Sequence, residues 1–136
     1  MAASVLVDAG FLVALLTRRD SNHRWAQAET AKYPPQWATC EAALSEAFYL
    51  LGPKGTPALV ALMQRGAVAC TFTLGDNFEP VLALMDKYSD VPISLAEACL
   101  VRMTETFPKP TLLTTDSDFR IYRRHSRQAI PCVLPD

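Results

Sequence analysis

The run Ser4 to Leu16, SVLVDAGFLVALL, limits what this chain can become more than any other stretch. Ser4 to Val7 suits a buried strand, Asp8 to Gly10 a turn, and the apolar residues from about Phe11 a helix. A strand that passes so quickly into a helix opens a βα unit, whose sheet needs parallel neighbours and helices on its faces. One carboxylate, Asp8, stands at the C-terminal end of that strand. Buried unpaired it would be costly, so it either caps the following helix or holds something cationic.

The rest of the sequence repeats the alternation. After a polar break at residues 17–22 comes a helix from His23 to Tyr33, ended by Pro34 and Pro35, with His23 read as a surface or capping residue. Trp37 to Thr39 reads as a strand, and Cys40 to Leu51 as a helix stopped by Gly52 and Pro53. Thr56 and Pro57 open another helix that runs to Arg65 and ends at Gly66. Ala67 to Phe72 is an apolar strand. Pro80 to Tyr88 is a helix begun near Asp76 or Asn77, and Ser94 caps a further one from Leu95 to Thr106 with Ala96, Cys99, Leu100 and Met103 as its core stripe. A strand at Thr111 to Thr114, a short basic helix from Arg120 to His125 and a last strand at Ile130 to Leu134 complete the pattern.

This alternation predicts an α/β domain with a mostly parallel sheet and right-handed crossovers. With 136 residues, half of them apolar, one core and a single domain spanning 1–136 are expected. In open parallel sheets the site lies at the carboxyl ends of the strands, where Asp8 and Asp116 both fall.

A formal net charge of -1 and a pI near 6.1 exclude a general nucleic-acid coat, so a polyanion would have to be met by a local patch or through metal ions. Cys40, Cys70, Cys99 and Cys132 stand roughly thirty residues apart with no C-x-x-C pair, which fits reduced core thiols rather than zinc ligands or a disulfide framework. No basic residue precedes Asp8 in the N-terminal apolar run, which makes it a poor signal peptide, and no stretch is long enough to span a membrane. A cytoplasmic protein with no membrane partner is expected.

Four carboxylates are the candidates for chemistry, and each also has a structural reading. Asp8 can cap a helix. Glu46 stands at the edge of the Leu44, Ala47, Phe48 and Leu51 stripe, whereas Glu41 in the first turn merely suits the helix dipole. Ser94-Leu95-Ala96-Glu97 is an S-x-x-E capping box, and Asp116 or Asp118 can cap the turn at Phe119. Taken jointly, two strand ends and two helices bring like charges together. Such a cluster is relieved by a hard divalent ion held by oxygen, Mg²⁺ or Mn²⁺, and the chain offers no close His or Cys pair for a softer metal. An ion of this kind polarises a phosphoryl oxygen and activates water, the chemistry of phosphodiester hydrolysis.

Val5-Leu6-Val7-Asp8, Thr39 to Leu51 with Glu46, Ser94-Leu95-Ala96-Glu97-Ala98 and Leu112 to Phe119 follow one another in an order and spacing that resembles the PIN-domain ribonucleases, particularly the VapC-type toxins of prokaryotic toxin–antitoxin pairs. The resemblance spans nearly the whole chain. It implies a three-layer α/β/α sandwich and a metal-dependent endoribonuclease whose products carry a 5′ phosphate and a 3′ hydroxyl. Asp8, Glu46, Glu97 and Asp116 would line the catalytic pocket, with Asp8, Glu97, Asp116 and Asp118 as ligands of Mg²⁺ or Mn²⁺. It further implies an RNA substrate, an antitoxin that blocks the pocket with an Arg or Lys, and a homodimer built on apolar helix faces. Two positions depart from the family pattern: Glu97 stands where an Asp is usual, and Gly10 where Ser or Thr is frequent, which removes a hydroxyl that would orient a ligand or water. Should Glu97 point away, Asp90 and Asp118 are the substitutes.

Arg120, Arg123, Arg124 and Arg127, with His125, follow directly after the acidic turn and read as positioning RNA phosphates, Arg120, Arg123 and Arg124 foremost. The alternative to the nuclease is a PIN-like RNA- or protein-binding module with degenerate acids. A phosphotransfer domain with Asp8 as acceptor fits poorly, because Asp8-Ala9-Gly10 lacks the second aspartate and no phosphate-cradling glycine motif is present.

Overall fold

A computed structural model describes residues 4–136; residues 1–3, which both the single-domain reading and the signal-peptide argument take in, lie outside the described residues. The elements are β1 (Ser4–Val7), α1 (Ala9–Leu16), α2 (His23–Lys32), β2 (Trp37–Thr39), α3 (Glu41–Gln64), β3 (Val68–Cys70), α4 (Phe78–Lys87), α5 (Leu95–Thr106), β4 (Pro110–Leu113), β5 (Arg123–Arg124), β6 (Gln128–Ala129) and β7 (Cys132–Val133). Short 3₁₀ turns occur at Gly75–Asn77 and Ser117–Arg120.

The central sheet has the order β3-β2-β1-β4-β7, and every pair in it is parallel. β1 and β4 are matched residue for residue, from Ser4 opposite Pro110 to Val7 opposite Leu113. From β1 the chain builds outward first to β2 and β3, then across to β4 and β7. The strand order therefore reverses between β1 and β4, which is where a doubly wound sheet opens a crevice.

Alternation along the strands divides the core in two. Leu6 and Leu112 point to the face covered by α4 and α5, where they join Val81, Leu100 and Met103. Val7, Trp37, Val68 and Leu113 point to the other face and pack with Phe11, Leu12, Ala26, Ala47 and Leu59 from α1, α2 and α3. Each buried Leu or Phe contributes roughly 1.5–3 kcal/mol by leaving water. Both faces are covered, as the three-layer α/β/α reading expects. His23 anchors the start of α2 to the end of α1, with Nδ1 2.8 Å from the Ala14 carbonyl oxygen.

Two segments differ from the sequence expectation. The helix from Cys40 does stop at Gly52 (φ 68°, ψ −176°), but the next begins at once with Pro53 rather than at Thr56. Proline suits a first helical turn, where its missing N–H is not needed, and the Thr56 hydroxyl donates to the Gly52 carbonyl at 2.8 Å. The basic helix expected from Arg120 to His125 is absent. Its place is taken by the 3₁₀ turn and an antiparallel β5–β6 hairpin, turned by His125 (φ 49°) and Ser126 (φ 69°). The physical reason is a two-residue period: Tyr122 and Arg124 go inward while Arg123 stays at the surface, a pattern that a helix does not give.

Candidate metal centre

Asp8 is delivered by the end of β1 and is only 7% exposed. Its Oδ1 accepts the Phe11 N–H at 2.8 Å, so it does cap α1. Its Oδ2 accepts the Thr114 hydroxyl, which in turn accepts the Asp116 N–H at 2.9 Å. Thr114 thus ties the ends of β1 and β4 together. Burial, only partly offset by these hydrogen bonds and reinforced by the charges of Asp116 and Glu46, lifts the Asp8 pKa from 3.8 to about 6.

Glu97 opens α5. The capping box is complete: the Glu97 N–H donates to Ser94 Oγ at 3.1 Å, and Glu97 Oε1 accepts the Ser94 N–H at 2.8 Å. The same carboxylate faces the crevice. Burial, then a hydrogen bond to Asp116, raises its pKa from 4.5 to about 7. Asp116 caps the 3₁₀ turn, its Oδ1 accepting the Asp118 N–H at 2.9 Å.

Oxygens of Glu97, Asp116 and Asp118 lie within 4.8 Å of one another. That spread fits the coordination sphere of one hard cation, whose oxygen ligands stand 2.0–2.6 Å from it. The chemistry of the donors agrees, since all are carboxylates and none is nitrogen or sulfur. Asp8, Glu46, Glu97 and Asp116 line one cavity of about 280 Å³, together with Gly10, Ser94, Thr115 and Phe119. Glu46 is exposed on α3 at its open side. No Lys or Arg is among the lining residues, so the acids meet no internal counter-charge there. Asp90 sits exposed in the turn before α5 and does not line the cavity, whereas Glu97 does.

Gly10 has a steric explanation. A Cβ at this position would lie 2.1 Å from Thr115 Oγ1, so the hydroxyl of Thr115 occupies the space that a side chain at residue 10 would fill, beside Asp8. The cavity therefore has a hydroxyl after all, donated by the opposite strand end.

The basic residues behave differently from expectation. Arg124 is 9% exposed, and its guanidinium donates to the carbonyls of Thr104 (Nη2 2.5 Å, Nε 3.1 Å) and Phe107 (2.9 Å), closing the C-terminus of α5. It does not point at a nucleic acid. The Arg123 guanidinium folds back on the carbonyls of Arg120, Ile121 and Tyr122 at 2.7–3.2 Å. Arg120 remains exposed. Reading the sequence alone missed Thr114, Thr115 and Tyr122; only the run Thr114-Thr115-Asp116, two hydroxyls at a strand end directly before an acid, signalled the first two.

No protein-family model matches the chain, and no curated protein matches it. A solved structure does: the toxin VapC20 of Mycobacterium tuberculosis, described as cleaving the sarcin-ricin loop, is similar over 85% of this chain and 92% of its own, with a TM-score of 0.76 at 22% identity. The likeness is one of fold, in agreement with the parallel sheet and its switch point.

Proposed function

We propose that this chain is a divalent-metal-dependent endoribonuclease that hydrolyses RNA phosphodiester bonds as the toxin of a toxin–antitoxin pair. The observation that carries the reading is the convergence of Asp8, Glu97, Asp116 and Asp118, without a counter-charge, at the switch point of a fold shared with an RNA-cleaving toxin. Glu97, Asp116 and Asp118, with Asp8 behind them, would hold Mg²⁺ or Mn²⁺. When bound, the ion supplies Lewis-acid polarisation and activation of water.

The protein's own groups do the rest. Thr114 and the Phe11 N–H fix the Asp8 carboxylate so that it cannot swing away from the cluster. Ser94 holds one oxygen of Glu97 and so turns the rest of the carboxylate toward Asp116 and the site. Glu46 is exposed and lines the same cavity, where it adds a further carboxylate beside the cluster. The Thr115 hydroxyl offers a neutral donor to a phosphate oxygen. Of the three arginines, Arg120 is exposed and not engaged by the chain's own carbonyls, which leaves its side chain to meet an RNA phosphate.

The partners in this reading are RNA, an antitoxin and a second copy of the chain. Exposed Leu50 at the cavity rim suits a protein cap, and Phe78 and Leu82, an exposed i, i+4 pair on α4, suit a dimer face. No helix among the described residues is long and apolar enough to cross a membrane, which fits a toxin acting on RNA in the cytoplasm. The binding-module alternative rested on Gly10 and Glu97; with Thr115 supplying a hydroxyl and Glu97 in the cluster, neither residue favours it.

The test is cleavage of labelled RNAs, a sarcin-ricin hairpin among them, with Mg²⁺, Mn²⁺ or EDTA, beside Asp8→Asn. Cutting that needs metal and falls about 1,000-fold in the variant, ~4 kcal/mol of barrier, is expected. Folded wild type that cuts none of the RNAs with any metal would overturn the nuclease reading.

A further inference from the structure

One polar atom beneath the acidic cluster is explained neither by the caps nor by the cavity walls. Tyr122 is 0% exposed, and its ring is gripped edge-on by Tyr88 and Phe119, with centroids 5.0 and 5.5 Å away. These contacts keep the ring from turning. Yet the hydroxyl makes no hydrogen bond, the one buried side-chain polar atom among the described residues in that condition. A buried donor left unmade is destabilising, so a fold that retains one has a use for it in another state.

What faces the hydroxyl indicates that use. The carboxylates of Glu97, Asp118 and Asp116 all act on it, and of the three only Glu97 also approaches as a hydrogen-bond acceptor. Burial and these three carboxylates push the phenol well above its ordinary pKa, so it remains a donor at any working pH. Glu97 has one oxygen committed to the Ser94 N–H, whereas Asp116 commits one to the Asp118 N–H. The rest of the Glu97 carboxylate faces Asp116 and this phenol.

We propose that Tyr122 is the positioning residue of the cluster, donating its hydroxyl proton to the second oxygen of Glu97 when a divalent cation occupies the site. The inference rests on the reading of the cluster as a cation site. Metal ligands are commonly held by a second hydrogen bond of this kind, which sets their orientation and basicity. Tyr122 would complete a clamp on Glu97, with the cap of α5 on one oxygen and the phenol on the other.

Tyr122→Phe removes the oxygen and keeps the ring. Its Mn²⁺ affinity, measured by calorimetry, should be about 10-fold weaker than wild type. Its melting temperature in metal-free buffer should be equal or higher, because an unsatisfied donor has been removed. A merely structural tyrosine gives the reverse, a lower melting temperature with unchanged Mn²⁺ affinity, and that result would overturn the proposal. A second readout uses wild-type protein alone: the Tyr122 ring signal in NMR should move during Mg²⁺ titration, and a signal that stays still would also overturn it. Wild type that binds no Mn²⁺ sinks the cation reading and this inference together. Equal binding by wild type and variant sinks only the role of Tyr122.

Discussion

Two charged turns follow β4 within eleven residues, and they balance their charges in opposite ways. In the first, Thr114 to Asp118, the Asp116 and Asp118 N–H groups are tied by side-chain caps, while the carboxylates of Asp116 and Asp118 gather with Glu97 and form no salt bridge among the described residues. In the second, Arg120 to Arg124, the guanidiniums of Arg123 and Arg124 are spent on carbonyls of the chain itself. Charges neutralised internally stabilise the fold; charges that the fold concentrates and leaves open are held for something outside it. Sequence proximity alone does not distinguish the two, since both turns read as functional, the acids toward a cation and the arginines toward RNA phosphates.

The contrast can be broken most severely at Arg124. Arg124→Met should destabilise the protein by about 3 kcal/mol, seen in urea melts, because the carbonyls of Thr104 and Phe107 lose buried donors. Cleavage per folded molecule should not change. A large loss of RNA affinity in a stable variant would instead put this arginine on the acidic turn's side of the comparison.

Asp8→Asn should do the opposite and stabilise the metal-free fold at pH 7, by up to ~3 kcal/mol, since ionising a carboxyl whose pKa is raised from 3.8 to about 6 opposes folding. An asparagine still caps α1. Destabilisation by the same change would mean that the charge is used structurally after all.

The sign with pH follows from the same shifts. Asp8 and Glu97 are raised to about 6 and about 7, so their contribution to metal-free stability is full below pH ~4 and is lost as pH climbs through 6 to 7. Divalent cation should reverse the trend, because binding needs both groups ionised: stabilisation at 100 times the dissociation constant, ~2.7 kcal/mol, should grow over that window. Melting curves at pH 5, 6, 7 and 8 with and without Mg²⁺ would show the two lines converging at low pH. Parallel lines would remove these acids from cation binding.

The smallest effect belongs to Arg120. Arg120→Ala should weaken RNA binding by less than about 1 kcal/mol and reduce the salt slope by about one. An unchanged slope would leave the second turn wholly structural.

The architecture was readable in advance because each βα unit carries its own punctuation: Asp8 before α1, Gly66 with φ 74° after α3, the Ser94–Glu97 box on α5. These are signals within a few residues, and alternation with right-handed crossovers narrows the topologies without giving the order β3-β2-β1-β4-β7. What escaped depends on partners far away in the chain. Arg124 finds its carbonyls 17 and 20 residues upstream, and Thr114 finds Asp8 at a separation of 106. The restart at Pro53 escaped for a local reason, since Gly52 and Pro53 read as a full stop but one residue out of helical conformation is enough to bend the path and resume it. Tyr122 lay unremarked inside the run read as a basic helix; only its unpaired oxygen marks it out.

The residue-for-residue match of β1 with β4 has an evolutionary consequence. Adding or deleting one residue within either strand exchanges the faces of everything after it, turning Asp8 or Thr114 away from its partner. Lineages descended from such a chain can lengthen the stretch between α2 and β2, or the hairpin after Tyr122, without disturbing the acids. They cannot change the length of these two strands separately. Insertions and deletions among descendants should therefore avoid Ser4–Val7 and Pro110–Leu113 while side chains there drift among apolar types, a signature carried by gaps rather than by substitutions.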